Sequence, residues 1–173
     1  RQDVLYSSFV LSKALIENSD EVLSEEHIDK ANNIELSKEE REKFNWLENK
    51  LYFSNEVDEL AKLVKYSDTM KGYSKYLFQS LIRRAMIRKL PYSRMNVPWN
   101  NIVKLRDEDY SYKKYGRKRA YHNQSFSHHM RSNLISYNNA VFDNGHLNKA
   151  FQEDALDVLD MIDQVSVILL DPP

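Results

Sequence analysis

The chain ends on the sequence VSVILLDPP, an apolar run followed by an acid and two prolines. Its valine, isoleucine and leucine residues predict a buried strand. The prolines must end that strand, because proline donates no backbone hydrogen bond and fixes its φ angle. Open α/β sheets bind ligands at the carboxyl ends of their strands, which makes Asp171, Pro172 and Pro173 candidate site residues. A buried strand also needs neighbouring strands, so we expect the chain to be an internal fragment of a longer protein.

The formal net charge of −1 hides a strong segregation of charge along the chain. Residues 1–70 hold 9 Lys and Arg against 16 Asp and Glu, residues 71–131 hold 15 against 3, and residues 132–173 hold 1 against 7. A basic block between two acidic ones predicts a polyanion-binding surface in the middle of the chain.

The composition excludes several kinds of site. Gly72, Gly116 and Gly145 are the three glycines, and they are too far apart to form a phosphate-binding glycine loop. If the protein binds a nucleotide-like ligand, that loop must lie outside this chain. The absence of cysteine excludes disulfides, thiolate zinc sites and a cysteine nucleophile, and is consistent with a cytoplasmic protein. No apolar run approaches the roughly 20 residues of a transmembrane helix, and the start lacks a signal-peptide pattern, so we expect no membrane partner.

Helical periodicity dominates most of the chain. It predicts helices over 3–17, from Ser24, from Ser37 to about Phe53, from Ser54 or Asn55, and from Thr69 to Leu90, then a long loop over 91–122 and a helix from Asn123 or Ser125 to about Phe142. Ser37 and Glu40 have the spacing of a capping box. After a turn at 143–146, the last 25 residues predict a strand, a short helix and a second strand. We therefore expect a mainly α-helical fold with two short strands near the C-terminus.

Basic and aromatic residues alternate in the middle block. Lysine and arginine neutralise phosphates, and tyrosine and tryptophan offer flat faces on which bases stack. This composition predicts contact with nucleic acid, although a solvated basic surface over a helical core, or cations that complement a helix dipole, would look similar. The candidate DNA-binding residues are Arg83, Arg84, Arg88, Lys89, Tyr92, Arg94, Trp99, Lys113, Lys114, Arg117, Lys118 and Arg119.

Two pairs of segments resemble a known family. NKAFQEDALDVL followed by VSVILLDPP is similar to the Dam-like adenine-specific DNA methyltransferases, including those of restriction-modification systems. RRAMIRKLPYSRMNVPW and YKKYGRKRAYHN resemble the DNA-recognition region that this family carries upstream of its catalytic motif. The resemblance covers about residues 70–173. It implies a fragment of an α/β S-adenosylmethionine-dependent methyltransferase, with a basic target-recognition region at 71–147 and a partial sheet at 148–173. The charge and the periodicity add an acidic helical region at 1–70.

The resemblance also implies roles for individual residues. Asp171 and the Pro172 carbonyl, in the turn completed by Pro173, would accept hydrogen bonds from the amino group of an adenine flipped out of double-stranded DNA. Asp154 resembles the acid that contacts the cofactor S-adenosylmethionine, although its position fits a helix N-cap equally well. The aromatic residue that follows the second proline in this family, and its glycine-rich cofactor loop, are not in the chain. We therefore expect the fragment to be inactive alone.

Other expectations follow from the same resemblance. We expect a prokaryotic, cytoplasmic and nucleoid-associated protein, with a cognate restriction endonuclease as a possible partner. His122, His128 and His129 suggest phosphate contacts or surface positions rather than a metal site, since a zinc site needs three or four convergent ligands. The alternative from another class is a non-catalytic helical module that binds DNA or another protein.

Overall fold

The computed structural model of this chain describes residues 6–90 and 97–161, and within them the protein is mainly helical. A π-helical turn follows the first helix at Lys13–Glu17, and 3₁₀ turns occur at Asn45–Leu47 and Ala120–Asn123. The α-helices are α1 (Tyr6–Ser12), α2 (Glu25–Asn32), α3 (Lys38–Glu42), α4 (Ser54–Thr69), α5 (Gly72–Lys89), α6 (Trp99–Arg106), α7 (Glu108–Tyr115), α8 (Phe126–Asn138) and α9 (Ala155–Asp160).

Helix α5 lies at the centre of the fold. It packs against α1 and the following π-helical turn, against α4 and against α8, while α2 packs between α4 and α8. Because it is covered on several sides, α5 buries Leu77, Phe78, Leu81, Ile82 and Ala85. Burial of this much apolar surface is the main stabilising contribution to the fold.

One hydrophobic core joins the acidic and the basic parts of the chain. It includes Leu60 and Leu63 from α4, Leu81 from α5, and Phe126 and Met130 from α8. The acidic residues 1–70 and the basic residues after them therefore belong to segments that share one core. The three regions proposed from the charge pattern stay a prediction about function.

Carboxylates from distant parts of the chain cap two of the core helices. Glu21 accepts a hydrogen bond from the Ser74 backbone N–H at 2.7 Å, at the start of α5. Glu59 accepts from the backbone N–H groups of Phe126 and Ser127 at 2.9 and 2.8 Å, at the start of α8. These bonds satisfy backbone donors that a helix leaves unpaired at its N-terminus.

Several local predictions are confirmed. Ser37 and Glu40 form the capping box, with Ser37 Oγ accepting from the Glu40 backbone and Glu40 Oε2 accepting from the Ser37 backbone at 3.2 and 2.8 Å. Ser24 and Ser125 precede α2 and α8, as predicted, whereas Ser54, predicted as a possible cap, is the first helical residue of α4 and Phe53 occupies the N-cap position.

Three larger predictions are wrong. The helix that begins after Ser37 ends at Glu42 instead of Phe53, and the loop expected over 91–122 contains α6 and α7 within its described part. Helices α6 and α7 are too short to show a clear helical periodicity, which is why the sequence pattern did not reveal them.

The third concerns the strands. Residues 148–153, where the first strand was predicted, have no strand conformation, and the described residues contain no strand at all, although Glu48 and Tyr52 form an isolated bridge. The second predicted strand, at about 165–170, lies outside the described residues. The part of the fold class that is confirmed is the mainly helical body.

Candidate nucleic-acid interface

Most exposed cations of the middle block lie on a segment that follows α6 and ends before α8 (the basic segment, residues 107–123). Asp107 begins α7 by accepting hydrogen bonds from the backbone N–H groups of Asp109 and Tyr110, both at 3.0 Å. Gly116 ends α7 in the left-handed region, with φ of 70°, a conformation that glycine adopts without steric cost. The last turn of α7 and the turn after it therefore carry Lys113, Lys114, Arg117, Lys118 and Arg119.

Cations alternate with tyrosine rings along this segment. Lys114 Nζ lies 5.5 Å from the ring centroids of both Tyr110 and Tyr115, and it donates to the Tyr110 hydroxyl at 3.1 Å. The guanidinium of Arg119 lies 4.9 Å from the centroid of the Tyr115 ring, which is 45% exposed. Positive groups next to accessible rings give a surface that can pair with phosphates and stack on bases.

Arg88, at the end of α5, extends this surface. Its guanidinium donates to the Tyr121 hydroxyl and lies 5.4 Å from the Tyr121 ring centroid. Its carbonyl oxygen lies 2.9 Å from His122 Nδ1. Burial lowers the pKa of His122 below its usual value. The ring is therefore neutral near pH 7, and with its proton on Nδ1 it donates to the carbonyl. These contacts hold the C-terminal end of α5 against the basic segment.

Ion pairs are more frequent among the described cations of the acidic part, where five of eight are paired, than among those of the middle block. In the acidic part, Lys13, Lys30, Lys38, Arg41 and Lys65 each lie within 4.0 Å of a carboxylate. Among the described residues of the middle block, nine cations have no carboxylate this close: Lys71, Arg83, Arg84, Arg88, Lys104, Lys113, Lys114, Arg117 and Lys118. Their charge is not neutralised within the described fold, so it remains available to an external anion.

Lys89 does not belong to this surface, which corrects its assignment as a DNA-binding residue. It is 1% exposed, and its ammonium lies 2.7 Å from Glu56 Oε1. Arg106 binds the same carboxylate through two hydrogen bonds, of 2.8 and 2.5 Å. Glu56, Lys89 and Arg106 form what we call the buried ion cluster. Burial alone would raise the pKa of Glu56, but the hydrogen bonds from Arg106 and Lys89 outweigh it and hold that pKa below its usual value.

The remaining described candidates lie in different places. Arg84 is one helical turn before Arg88 and therefore on the same face of α5. Arg83 borders an apolar groove together with Tyr6 and Met86, away from the basic segment. The Trp99 ring packs edge-on against Phe53, with 5.0 Å between the ring centroids, so part of that ring serves to attach α6 to the start of α4. Tyr92 and Arg94 lie outside the described residues.

Comparison with known proteins gives the family. The family model for D12 class N6 adenine-specific DNA methyltransferases matches residues 2–173.

The chain belongs to this family.

A curated relative is the Type II methyltransferase M2.HphI of Haemophilus parahaemolyticus, which is 43% identical over 178 residues. The match covers 99% of this chain and 50% of that relative, so the chain spans about half the length of the curated relative it matches. No solved structure matches the chain.

The residues predicted to form the methyltransferase motif lie mostly at the end of the chain. Asp171, Pro172 and Pro173 are outside the described residues. Asp154 is exposed and precedes α9, where its Oδ1 accepts from the Leu156 backbone N–H at 2.9 Å. It is therefore the N-cap of α9, as the local pattern predicted, and the second oxygen of its carboxylate has no donor among the described residues.

Membrane-spanning and metal-binding features are both missing from the described residues. None of their helices is long and apolar enough to cross a membrane. They also contain no group of three or more histidine, aspartate or glutamate side chains placed to hold a metal ion. His129 is fully buried, with its ring 4.7 Å from that of Tyr121, so it occupies neither a surface position nor a phosphate-contacting one.

Sequence reasoning missed the buried ion cluster. Glu56 and Arg106 are 50 residues apart in the sequence, and neither lies in a recognisable motif. One local signal was available, since Glu56 stands three residues after Phe53 and accepts its backbone N–H at 2.9 Å, as Glu40 does for Ser37. That signal identifies a helix start and gives no indication of the two cations.

Proposed function

We propose that the whole protein transfers a methyl group from S-adenosylmethionine to the exocyclic amino group of adenine in double-stranded DNA. The observation that carries the DNA part of this proposal is the basic segment, where cations alternate with tyrosine rings and where Lys113, Lys114, Arg117 and Lys118 have no carboxylate within 4.0 Å in the described fold. Membership of the D12 class adenine-specific family supports the reaction and the choice of adenine.

The proposed DNA contacts divide into phosphate and base contacts. Arg84, Arg88, Lys113, Lys114, Arg117, Lys118 and Arg119 form the proposed phosphate-binding surface. Phosphate contacts give most of the affinity and set the register, and they carry no sequence information by themselves. Tyr115 and Tyr121 offer exposed ring faces within that surface. The sequence pattern still supports four further candidates for DNA contact: Arg83, Tyr92, Arg94 and Trp99. Lys89 is buried and is therefore not among the proposed contacts.

Asp171 and Pro172 are the proposed catalytic residues. The Asp171 carboxylate and the Pro172 carbonyl would accept hydrogen bonds from the two N–H groups of the adenine amino nitrogen. These bonds draw the nitrogen lone pair out of conjugation with the ring and orient it for attack, while Pro173 stiffens the turn. When bound, S-adenosylmethionine would supply the methyl group to this nitrogen, and the nitrogen would release one proton to the solvent. The base must leave the stack for this geometry, as in other enzymes that modify bases.

S-adenosylmethionine would supply the methyl group. The described residues fit a role in holding it at one point: Asp154 is exposed, and one of its carboxylate oxygens is available to accept hydrogen bonds from N–H or O–H donors. The glycines of this chain are too dispersed to form a glycine-rich cofactor loop. We therefore infer that this fragment does not turn over alone.

The biological setting is proposed from the same comparisons. The relative is named a Type II methyltransferase, and we infer that this protein likewise works in a restriction-modification system beside a cognate endonuclease. A DNA substrate of this kind would place the protein in the prokaryotic cytoplasm, in association with the nucleoid.

The test is methyl transfer by the full-length protein. Tritiated S-adenosylmethionine and unmethylated plasmid DNA should yield N6-methyladenine, and Asp171→Ala should reduce the rate by at least about a hundredfold, since the acceptor of a positioned substrate is lost. Asp160→Ala, in an exposed acid on α9, is the matched control and should keep the wild-type rate. Methylation of cytosine, or full activity in Asp171→Ala, would refute the proposed function.

A further inference from the structure

The buried ion cluster lies at the base of the basic segment. Arg106 is the residue immediately before this segment, and Gln124 is the residue immediately after it. Lys89 Nζ donates to the Gln124 carbonyl oxygen, while Arg106 holds the Glu56 carboxylate. The Glu56 carboxylate on α4 is thus linked to both ends of the segment. Arg106, at one end, binds it directly, and Lys89 connects it to Gln124 at the other end.

The two ends are also bonded to each other. Arg106 Nε donates to Asn123 Oδ1 at 3.0 Å, and Asn123 Nδ2 donates to the Arg106 carbonyl oxygen at 3.0 Å. These reciprocal bonds close the segment into a loop whose base is a polar cluster. Bringing such ends together costs chain entropy, so this closure must be stabilised by specific contacts.

Aromatic rings surround the charged groups. The Arg106 guanidinium lies 4.7 Å from the Phe53 ring centroid, and Lys89 Nζ lies 5.0 Å from that of Phe126. Glu56 and Arg106 are each 6% exposed. At this degree of burial the geometry of the ion pairs is strongly restricted, because any displaced charge would be left buried without a partner.

We propose that Glu56 is a positioning residue for DNA recognition, holding the basic segment at a fixed place and orientation on the helical body through Lys89 and Arg106. The proposal rests on the proposed function for its link to DNA, and on the contacts of the cluster for its link to the segment. Buried ion pairs add little stability compared with apolar residues of the same size, but they permit fewer arrangements. Lys89 and Arg106 thereby hold the other cations of the basic segment in position and do not contact DNA themselves.

The test uses the full-length enzyme with Glu56→Gln, which keeps the size of the side chain and removes its charge. Amide hydrogen exchange should quicken in residues 107–123 by at least about tenfold, because the base of the loop opens more often. In steady-state methylation of plasmid DNA, KM for DNA should rise by at least about tenfold while kcat at saturating DNA falls less than about threefold.

Leu77→Ala is the matched control. Leu77 is fully buried in α5, twelve residues before Lys89, so this substitution destabilises the core at about 18 Å along the helix from the cluster. At a temperature where both variants are folded, Leu77→Ala should leave KM and the relative protection of residues 107–123 unchanged. If it raises KM as Glu56→Gln does, or if Glu56→Gln leaves either readout unchanged, the positioning role is refuted.

A second variant covers the case in which Glu56→Gln does not fold. Asn123→Ala removes the exposed partner of Arg106 and keeps all three charges, and it should produce the same two changes at smaller size. Wild-type exchange and wild-type KM in Asn123→Ala would overturn the proposal. A wild-type enzyme that does not methylate DNA would refute the proposed function alone, since the exchange measurement does not depend on DNA.

Discussion

Arg88 and Lys89 are neighbours in the sequence and have opposite surroundings in the fold. Arg88 contacts the Tyr121 ring at the surface, whereas Lys89 is buried against Glu56. Successive residues of a helix point about 100° apart, so two adjacent cations need not share a face. A basic cluster at the end of a helix indicates a function for the group, but which member faces solvent depends on the packing of the helix.

His129 gives a test at the scale of one residue. Burial, with a smaller contribution from the nearby Lys89, His128 and Arg88 charges, lowers the pKa of His129 to about 4. In the unfolded chain a histidine has a pKa of about 6.5, so the unfolded state binds more protons between these two values and stability falls as pH falls through that window. By pH 4.5 this effect should cost about 2 kcal/mol.

His129→Leu should remove most of that loss. Chemical denaturation at pH 7 and pH 4.5 should show a stability difference between the two pH values that is smaller in His129→Leu than in wild type by about 2 kcal/mol. His146→Leu, at an exposed position in the turn before α9, serves as the control and should keep the wild-type difference. An unchanged acid sensitivity in His129→Leu would show that this ring is not responsible.

At the scale of the element, the start of α5 depends on one glycine. Gly72 has φ of +64°, and a Cβ atom at this position would lie 2.5 Å from Glu21 Oε1. Glu21 is held there by the Ser74 backbone N–H. The position therefore combines a left-handed backbone with a close approach by the carboxylate that caps the central helix.

Gly72→Ala should destabilise the protein by about 2–3 kcal/mol, the sum of the left-handed backbone cost and the displacement of Glu21. Gly145→Ala isolates the first contribution, because Gly145 also has a positive φ, of 74°, and a Cβ atom added there would meet no other group within 4 Å. That control should cost about 1 kcal/mol in thermal or chemical unfolding. Equal costs for the two substitutions would contradict a role for Glu21.

Elements with a strong local cause were predictable from the sequence. The capping box at Ser37 and Glu40 and the serine before α8 are confirmed, because each uses residues three apart. The lengths of the helices were less predictable. The Ser37 helix ends at Glu42, where Arg41 binds carboxylates on α4 and before α4, and these contacts leave no periodic signal.

The candidate nucleic-acid interface, like the helices, was only partly predictable from the sequence. The cations and tyrosines of the basic segment follow from composition alone, since a surface charge needs only a type of residue and an exposed position. The cluster beneath them needs Glu56, Lys89 and Arg106, which come from three helices, to meet at one point. No local pattern encodes such a meeting.

At the scale of the whole molecule, the acidic and the basic side chains have different roles around a shared core. Many carboxylates of the acidic part pair with its own cations or cap helices, as Glu21 and Glu59 do, and Glu56 pairs with two cations of the basic part inside the fold. The basic part keeps most of its charge outward. A molecule built in this way should bind a polyanion mainly through the basic segment, and its affinity should depend on salt.

The dependence of DNA affinity on salt is therefore the most direct measurement of the central claim. The full-length enzyme should bind duplex DNA with log Kd rising linearly with log salt concentration. Replacing Lys113, Arg117 and Lys118 together by glutamine should lower the magnitude of that slope by about three, roughly one unit for each lost phosphate contact. The control replaces Lys38, Lys43 and Lys50 of the acidic part by glutamine, which changes the net charge equally. The account predicts a wild-type slope for the control and a reduced slope for the basic-segment variant; equal slopes in all three proteins would contradict it.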